Sequence, residues 1–304
     1  MKLRANCLRY LGFLSVACVV AGAAEMGFAQ PVMYGSTGRK SANPGAIGTV
    51  NETTGAVGVV GLTGRPVLAG LAFNSLGELY GISCDTAAGP ENCALIMIDP
   101  DTGAEIANVG LVTFEGANAP HWITDLAFQP GTDILYASHF YLGLTTIDTS
   151  TAVITVVNPA LPSGNGDAGG LAFTPDGRLF FTSASNIATE FWELNPANGA
   201  TVGSISLSTQ IGISGLGARP TDGQVFGTTR PWQAGVSPDL ITLNTTTGTI
   251  TTVGTPNEFL SDVDFRPAPL TGAAAVPAGS PVAWGFTVLL IIGAGIASLS
   301  RRGM

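Results

Sequence analysis

The chain has 304 residues, of which 45% are hydrophobic, 11% charged and 41 are glycine. So few charges beside so much apolar residue and glycine exclude a disordered chain, argue against a helix-rich one, and fit an all-β protein with many tight turns. Outside residues 1–29 and 276–304, seven basic and twenty acidic side chains remain, a net of −13; a surface this acidic repels phosphate backbones and argues against nucleic acid as a partner.

At the N-terminus, Lys2, Arg4 and Arg9 precede an apolar run over residues 11–24, and Gly27-Phe28-Ala29 puts small residues at the cleavage positions before Gln30. Residues 1–29 are therefore predicted to be a secretory signal peptide. Cys18 offers a lipoprotein alternative, but Ser15 stands where a large aliphatic residue is required. Cys7 and Cys18 leave with the peptide, so the exported body keeps Cys84 and Cys93. This pair is predicted to close a surface loop as a disulfide, stabilising it by roughly 2–3 kcal/mol. Metal ligation is the alternative, and no histidine flanks the pair to support it.

Next come VMYGSTG (32–38), AIGTV (46–50), the turn NETTG (51–55) and AVGVVG (56–61), which read as the second, third and fourth strands of a sheet unit lacking its first. From residue 70 a fuller pattern recurs: GLAFNSLGELYGIS (70–83), DLAFQPGTDILYAS (125–138), GLAFTPDGRLFFTS (170–183), GLGARPTDGQVFGT (215–228) and a truncated DVDFRPA (262–268). Phe73, Phe128, Phe173, Ala218 and Phe265 occupy one column, 55, 45, 45 and 47 residues apart. A second marker joins the third and outer strands: NETTG, DPDTG, DTSTA, NPANG and NTTTG begin at residues 51, 99, 148, 195 and 244. In these turns Asx side chains can bond backbone amides and the final Gly accepts a positive φ. A period near 45 with four short strands per unit predicts a five-bladed β-propeller over residues 30–269, its last blade completed by joining the two chain ends.

The GLAF strand, the aromatic second strand and the third strand ending in IDPxTG resemble the NHL and YVTN-type propeller repeats of secreted and surface proteins. That resemblance implies the fold; propellers host enzymes, lectins and scaffolds alike.

Residues 270–281 form a Pro/Ala/Gly linker. The apolar run over 282–299, roughly 27 Å as a helix, is long enough to cross a bilayer, so residues 282–304 are predicted to be a transmembrane segment. Trp284 marks one interface and Arg301-Arg302 the other, which places the C-terminus in the cytoplasm and the propeller outside. Val276-Pro277, Trp284 and the terminal arginine pair resemble C-terminal sorting signals of the PEP-CTERM and IPTL-CTERM type. The resemblance implies a Gram-negative host, tethering at the inner membrane, and processing by an exosortase-like enzyme, often beside exopolysaccharide production. The chain departs from those patterns in having VPAGSP where one family shows Val-Pro-Glu-Pro.

In a propeller, the loops from second to third and from outer to inner strand open on one face, and here they are long and dissimilar, so a ligand is expected there. His121, Trp122, His139, Tyr141, Arg230 and Trp232 are the binding candidates, with Asp167 and Glu190 on the same face. An enzymatic reading would use His121 and His139 with Asp125 or Asp167 as an acid/base or metal cluster. Both imidazoles come from one blade, and no nucleophile elbow, His-Glu-x-x-His or phosphate loop is present. Asp99/Asp101 read as turn residues, Asp262/Asp264 as inner-strand residues beside the channel, and Trp192 as core. No cofactor or catalytic residue is assigned. The expectation is an exported cell-surface binding or structural propeller that meets a polysaccharide or surface protein; the alternative is an extracytoplasmic hydrolase or lyase acting on a glycan or lactone.

Overall fold

The computed structural model describes residues 30–84, 93–118, 122–164, 168–230 and 238–268. These form five four-stranded antiparallel sheets, the blades of a five-bladed β-propeller. From inner to outer edge, blade I is Leu260–Arg266, Val32–Thr37, Ala46–Val50 and Val57–Leu62. Blade II is Gly70–Phe73, Leu79–Cys84, Cys93–Ile98 and Glu105–Leu111; blade III is Ile123–Phe128, Leu135–His139, Gly143–Ile147 and Ile154–Asn158. Blade IV runs Leu171–Phe173, Leu179–Thr182, Glu190–Leu194 and Thr201–Ser206, and blade V Ile213–Ala218, Val225–Thr229, Leu240–Leu243 and Ile250–Gly254. Blade I joins the two ends of the propeller, with Tyr34 opposite Asp264. A small hairpin, Thr113–Phe114 with Ala117–Asn118, was not legible in the repeat. No helix occurs among the described residues; the expected signal peptide, linker and membrane-sorting segment lie outside them.

The five turn markers fold alike because their side chains dictate it. Asn51, Asp99, Asp148, Asn195 and Asn244 each accept the amide two residues on, at 2.8–2.9 Å. The residue four positions on then donates back to the first carbonyl and sits at positive φ: Gly55, Gly103, Ala152, Gly199 and Gly248. Ala152 takes φ 58° without glycine's freedom, a local cost the surrounding turn sustains.

Aromatic pairs fasten the seams. Second-strand rings stack edgewise or tilted on the inner-strand phenylalanine of the next blade: Tyr34 on Phe73, Tyr80 on Phe128, Tyr136 on Phe173 and Phe226 on Phe265, with centroids 5.2–5.5 Å apart. Such contacts contribute about 0.5–1.5 kcal/mol each beyond area burial. At the IV–V seam Ala218 replaces the phenylalanine, and Phe180 packs on Phe191 instead.

The inner strands are sheet edges, so every other backbone amide points at the channel with no strand to receive it. One register column there reads Gly70, Asp125, Gly170, Gly215 and Asp262. The two acids are wholly buried and between them take the amide that follows each member of the column. Leu171 and Leu216 donate to Oδ2 of Asp125 at 2.7 and 2.9 Å, and Leu126 to its Oδ1 at 2.7 Å. Leu71 donates to Oδ2 of Asp262 at 2.8 Å and Val263 to its Oδ1 at 2.7 Å. The glycines leave the space: a Cβ at Gly215 would stand 2.4 Å from Asp262 Oδ1, and one at Gly70 3.0 Å from Asp125 Cα.

Burial raises both carboxyls, Asp125 to about 8 and Asp262 well above the carboxylate range, where the Asp125 charge adds to the effect. Two neighbouring carboxyls sealed from water cannot both ionise cheaply, so at neutral pH the pair as a unit stays protonated.

Unfolded carboxyls titrate near about 4, so the native pair binds an extra proton from there up to about 8. Its contribution to stability is complete below that window and is lost as pH rises through it, at up to about 1.4 kcal/mol per pH unit and proton. Urea midpoints at pH 5 and pH 8 are expected to differ less in Asp262→Asn than in the parent chain; an unchanged difference would show the pair does not hold the proton. Gly215→Ala is expected to cost about 1–3 kcal/mol by overpacking, read as a lower thermal midpoint. Gly203→Ala, with nothing within 4 Å of its added carbon, should leave that midpoint within about 0.5 kcal/mol of the parent.

Candidate functional site

The carboxyl plug divides the channel into two mouths of opposite character. On the long-loop face lies a pocket of about 370 Å³, within the size range of small-molecule sites. Its floor carries Thr124, Ser214 and Ser261, one residue before the acid-and-glycine column. Their hydroxyls are tied into the ring: Thr124 Oγ1 lies 2.6 Å from Ser138 Oγ and bonds the Gly169 carbonyl, while Ser214 Oγ bonds the Ser261 carbonyl at 3.3 Å. The walls are largely apolar, from Ile123, Phe140, Phe259 and Leu260.

Trp122 forms part of the lip. Its φ is 46°, a left-handed conformation that is a genuine outlier for so bulky a residue. Its carbonyl accepts the Phe140 amide at 3.0 Å, its ring meets Phe140 edge-on at 5.7 Å, and it is 41% exposed. The backbone thus spends strain to hold a large ring at the mouth.

Charge is placed as unevenly as aromatic surface. The propeller has seven basic side chains. Arg65, Arg178, Arg219 and Arg266 each hold a carboxylate, with the closest nitrogen–oxygen contacts at 2.5–2.9 Å. The remaining three, Arg39, Lys40 and Arg230, all line this one pocket. Lys40 Nζ lies 5.7 Å from the Phe259 ring centre, and the Gly38 amide donates to the Phe259 carbonyl at 2.8 Å, fastening the start of the cationic loop to the neighbouring segment of blade I. Among the described residues no carboxylate lines the pocket.

Of the residues singled out in the sequence, Trp122 and Arg230 line the pocket. His139 is buried, and its Nδ1 accepts the amides of Tyr141 and Leu142, both at 3.1 Å, so it caps its own turn. Tyr141 is exposed and packs on Phe140, outside the pocket lining. His121, Trp232 and Asp167 lie outside the described residues, as do Val276, Pro277, Trp284, Arg301 and Arg302. Glu190 begins the third strand of blade IV and does not line the pocket. Trp192 stacks on Phe181 at 5.7 Å, in keeping with a packing role. The expected disulfide joins Cys84 to Cys93 across the second and third strands of blade II, and Cys84 lines the pocket wall. Among the described residues no group of three His, Cys, Asp or Glu side chains is placed to hold a metal ion.

Sequence reasoning missed Arg39, Lys40, Phe140 and Phe259. Their common signal was available: Arg39-Lys40 is the one basic pair in the body of the chain, and it sits in a loop between second and third strands.

The short-turn mouth is acidic. Its cavity of about 250 Å³ has phenylalanine edges and prolines for walls, and Asp264 for its floor. Asp264 accepts the Phe73 amide at 2.7 Å, and burial raises its carboxyl to about 7. The acids Asp125, Asp262 and Asp264 are thus committed to backbone donors, which leaves the turn reading of Asp99 and the inner-strand reading of the second pair in accord with their contacts.

No protein-family model matches the chain, and no curated protein is detectably similar to it in sequence. Solved structures do align. A protein from Lactobacillus plantarum is 17% identical with a TM-score of 0.41, over 74% of this chain and 66% of its own, so the chain spans slightly under two thirds of that protein. Glutaminyl cyclase from Myxococcus xanthus is also 17% identical, with a TM-score of 0.41, over 70% of this chain and 76% of its own. A protein of unknown function from Bacteroides caccae is 14% identical with a TM-score of 0.47, over 78% and 99%. At such identities and TM-scores the likeness bears on neither activity nor ligand.

Proposed function

We propose that this chain is an exported cell-surface binding propeller that takes its ligand on the long-loop face and reaches the surface through its signal peptide and C-terminal sorting segment. The observation that carries the binding reading is the pocket over the plugged channel, where a strained, exposed Trp122 stands over apolar and cationic walls. The channel acids beneath, which a hydrolase or lyase of this shape would draw on, are engaged by backbone amides. Flat rings at such a lip stack on sugar faces or anchor a protein partner. The sorting reading rests on the tail alone: linker, apolar run and terminal arginine pair.

Binding is tested by co-sedimenting the purified full chain with the cell-surface polysaccharide of the producing organism. Trp122→Ala is expected to weaken binding at least tenfold, about 1.4 kcal/mol, while His121→Ala leaves it in place. Turnover of that polysaccharide that disappears in His121→Ala would sink the non-catalytic reading. For the tail, cells are fractionated with and without the last 29 residues and intact masses are measured. The full chain is expected in the surface fraction with the tail mass missing, and the truncated chain in the medium; an unprocessed tail at the surface would overturn sorting.

A further inference from the structure

The long-loop pocket has a composition that selects among ligands. The propeller carries a large acidic excess, and most of its arginines are spent on carboxylates of its own. Yet Arg39 and Lys40 form no ion pair among the described residues, and they converge with Arg230 on one mouth. Three like charges around a cavity repel one another and are costly to desolvate. No ion pair among the described residues places Arg39 and Lys40 there: both are exposed, and their loop is already fastened through Gly38. Between the cations the surface is apolar and partly aromatic, from Trp122, Phe140 and Phe259.

We infer that the pocket binds an amphipathic anion: a carboxylate or sulfonate attached to a flat apolar ring body. This rests on the binding reading above only in taking the long-loop pocket as a ligand site; the ligand it names is a small molecule, distinct from the polysaccharide tested there. The ring enters between Trp122 and Phe259, over the Ile123 and Leu260 walls, and gains by leaving water. The acid group stays at the rim, where the guanidinium and ammonium groups of Arg39, Arg230 and Lys40 meet it with charge-assisted hydrogen bonds. A neutral body of the same shape would leave Arg39 and Lys40 without a counter-ion. A ligand that is anionic but wholly hydrophilic would forgo the apolar walls. The surrounding acidic surface adds selectivity, because it repels anions everywhere except at this mouth.

The matched probes are anilinonaphthalene sulfonate and phenylnaphthylamine, which share the ring system and differ by the sulfonate. Their binding to the folded full chain is followed by dye fluorescence. The sulfonate is expected to bind one per chain and at least tenfold tighter than the neutral dye, with an affinity that falls as salt is added. Arg39→Gln with Lys40→Gln should remove at least tenfold of the sulfonate affinity and leave the neutral dye unchanged. Trp122→Ala should weaken both. Equal affinity for the two dyes, both weakened by Trp122→Ala, would overturn the anionic class and leave the pocket reading standing. Binding of neither dye, or binding that ignores Trp122→Ala, would overturn this inference, while the polysaccharide co-sedimentation decides the binding reading by itself.

Discussion

Five edge strands facing one axis pose a problem of unsatisfied donors, and this propeller solves it with two carboxyls. Each inner strand presents amides to a channel that holds no further strand, and an unpaired buried donor costs about 1–3 kcal/mol. Asp125 and Asp262 between them accept one such amide from every blade. Their own mutual repulsion is relieved by a retained proton, while three glycines of the same column supply the room. Removing any one of these components would leave the others uncompensated.

The plug also decides where function can reside. With the central acids turned inward and shared among backbones, the channel is a packed core, and only its two mouths meet solvent. They differ sharply. The turn face is short, repetitive and acidic, its geometry dictated by Asx side chains; the loop face gathers cations and aromatic rings from unlike loops. An aromatic residue held in a left-handed backbone conformation at that rim shows that local energy has been given up for the placement of one ring. The two mouths thus break the pseudo-symmetry of the ring in opposite ways.

Much of the scaffold was legible in the sequence because it is local. Blade number followed from the spacing of the Asx turns, whose hydrogen bonds span only a few residues, and closure followed from an orphan inner strand at residue 262. The Cys84–Cys93 bridge was legible for the same reason. The site was less so. Asp125 and Asp262 could be aligned in one column, but their meeting depends on the ring bringing blades III and I to a common axis. Arg39, Phe140, Arg230 and Phe259 come from separate loops, and no spacing along the chain announces that they share a cavity. His139, attractive by residue type, is occupied in bonding its own turn.

The shared blade sets the order in which the ring can be completed. Val32–Thr37 is nearly the first segment of the propeller and Leu260–Arg266 the last, and they pair over six registered positions. A chain emerging from N- to C-terminus therefore carries an open strand edge until its final blade strand arrives. Four blades can form by local hairpins, but the ring has no circumference until then, and the amides of Leu71 and Phe73 have no carboxyl to meet. The closing strand is thus at once the latch and the last acceptor group of the core, so the assembled ring is tied to the arrival of residues 262 and 264.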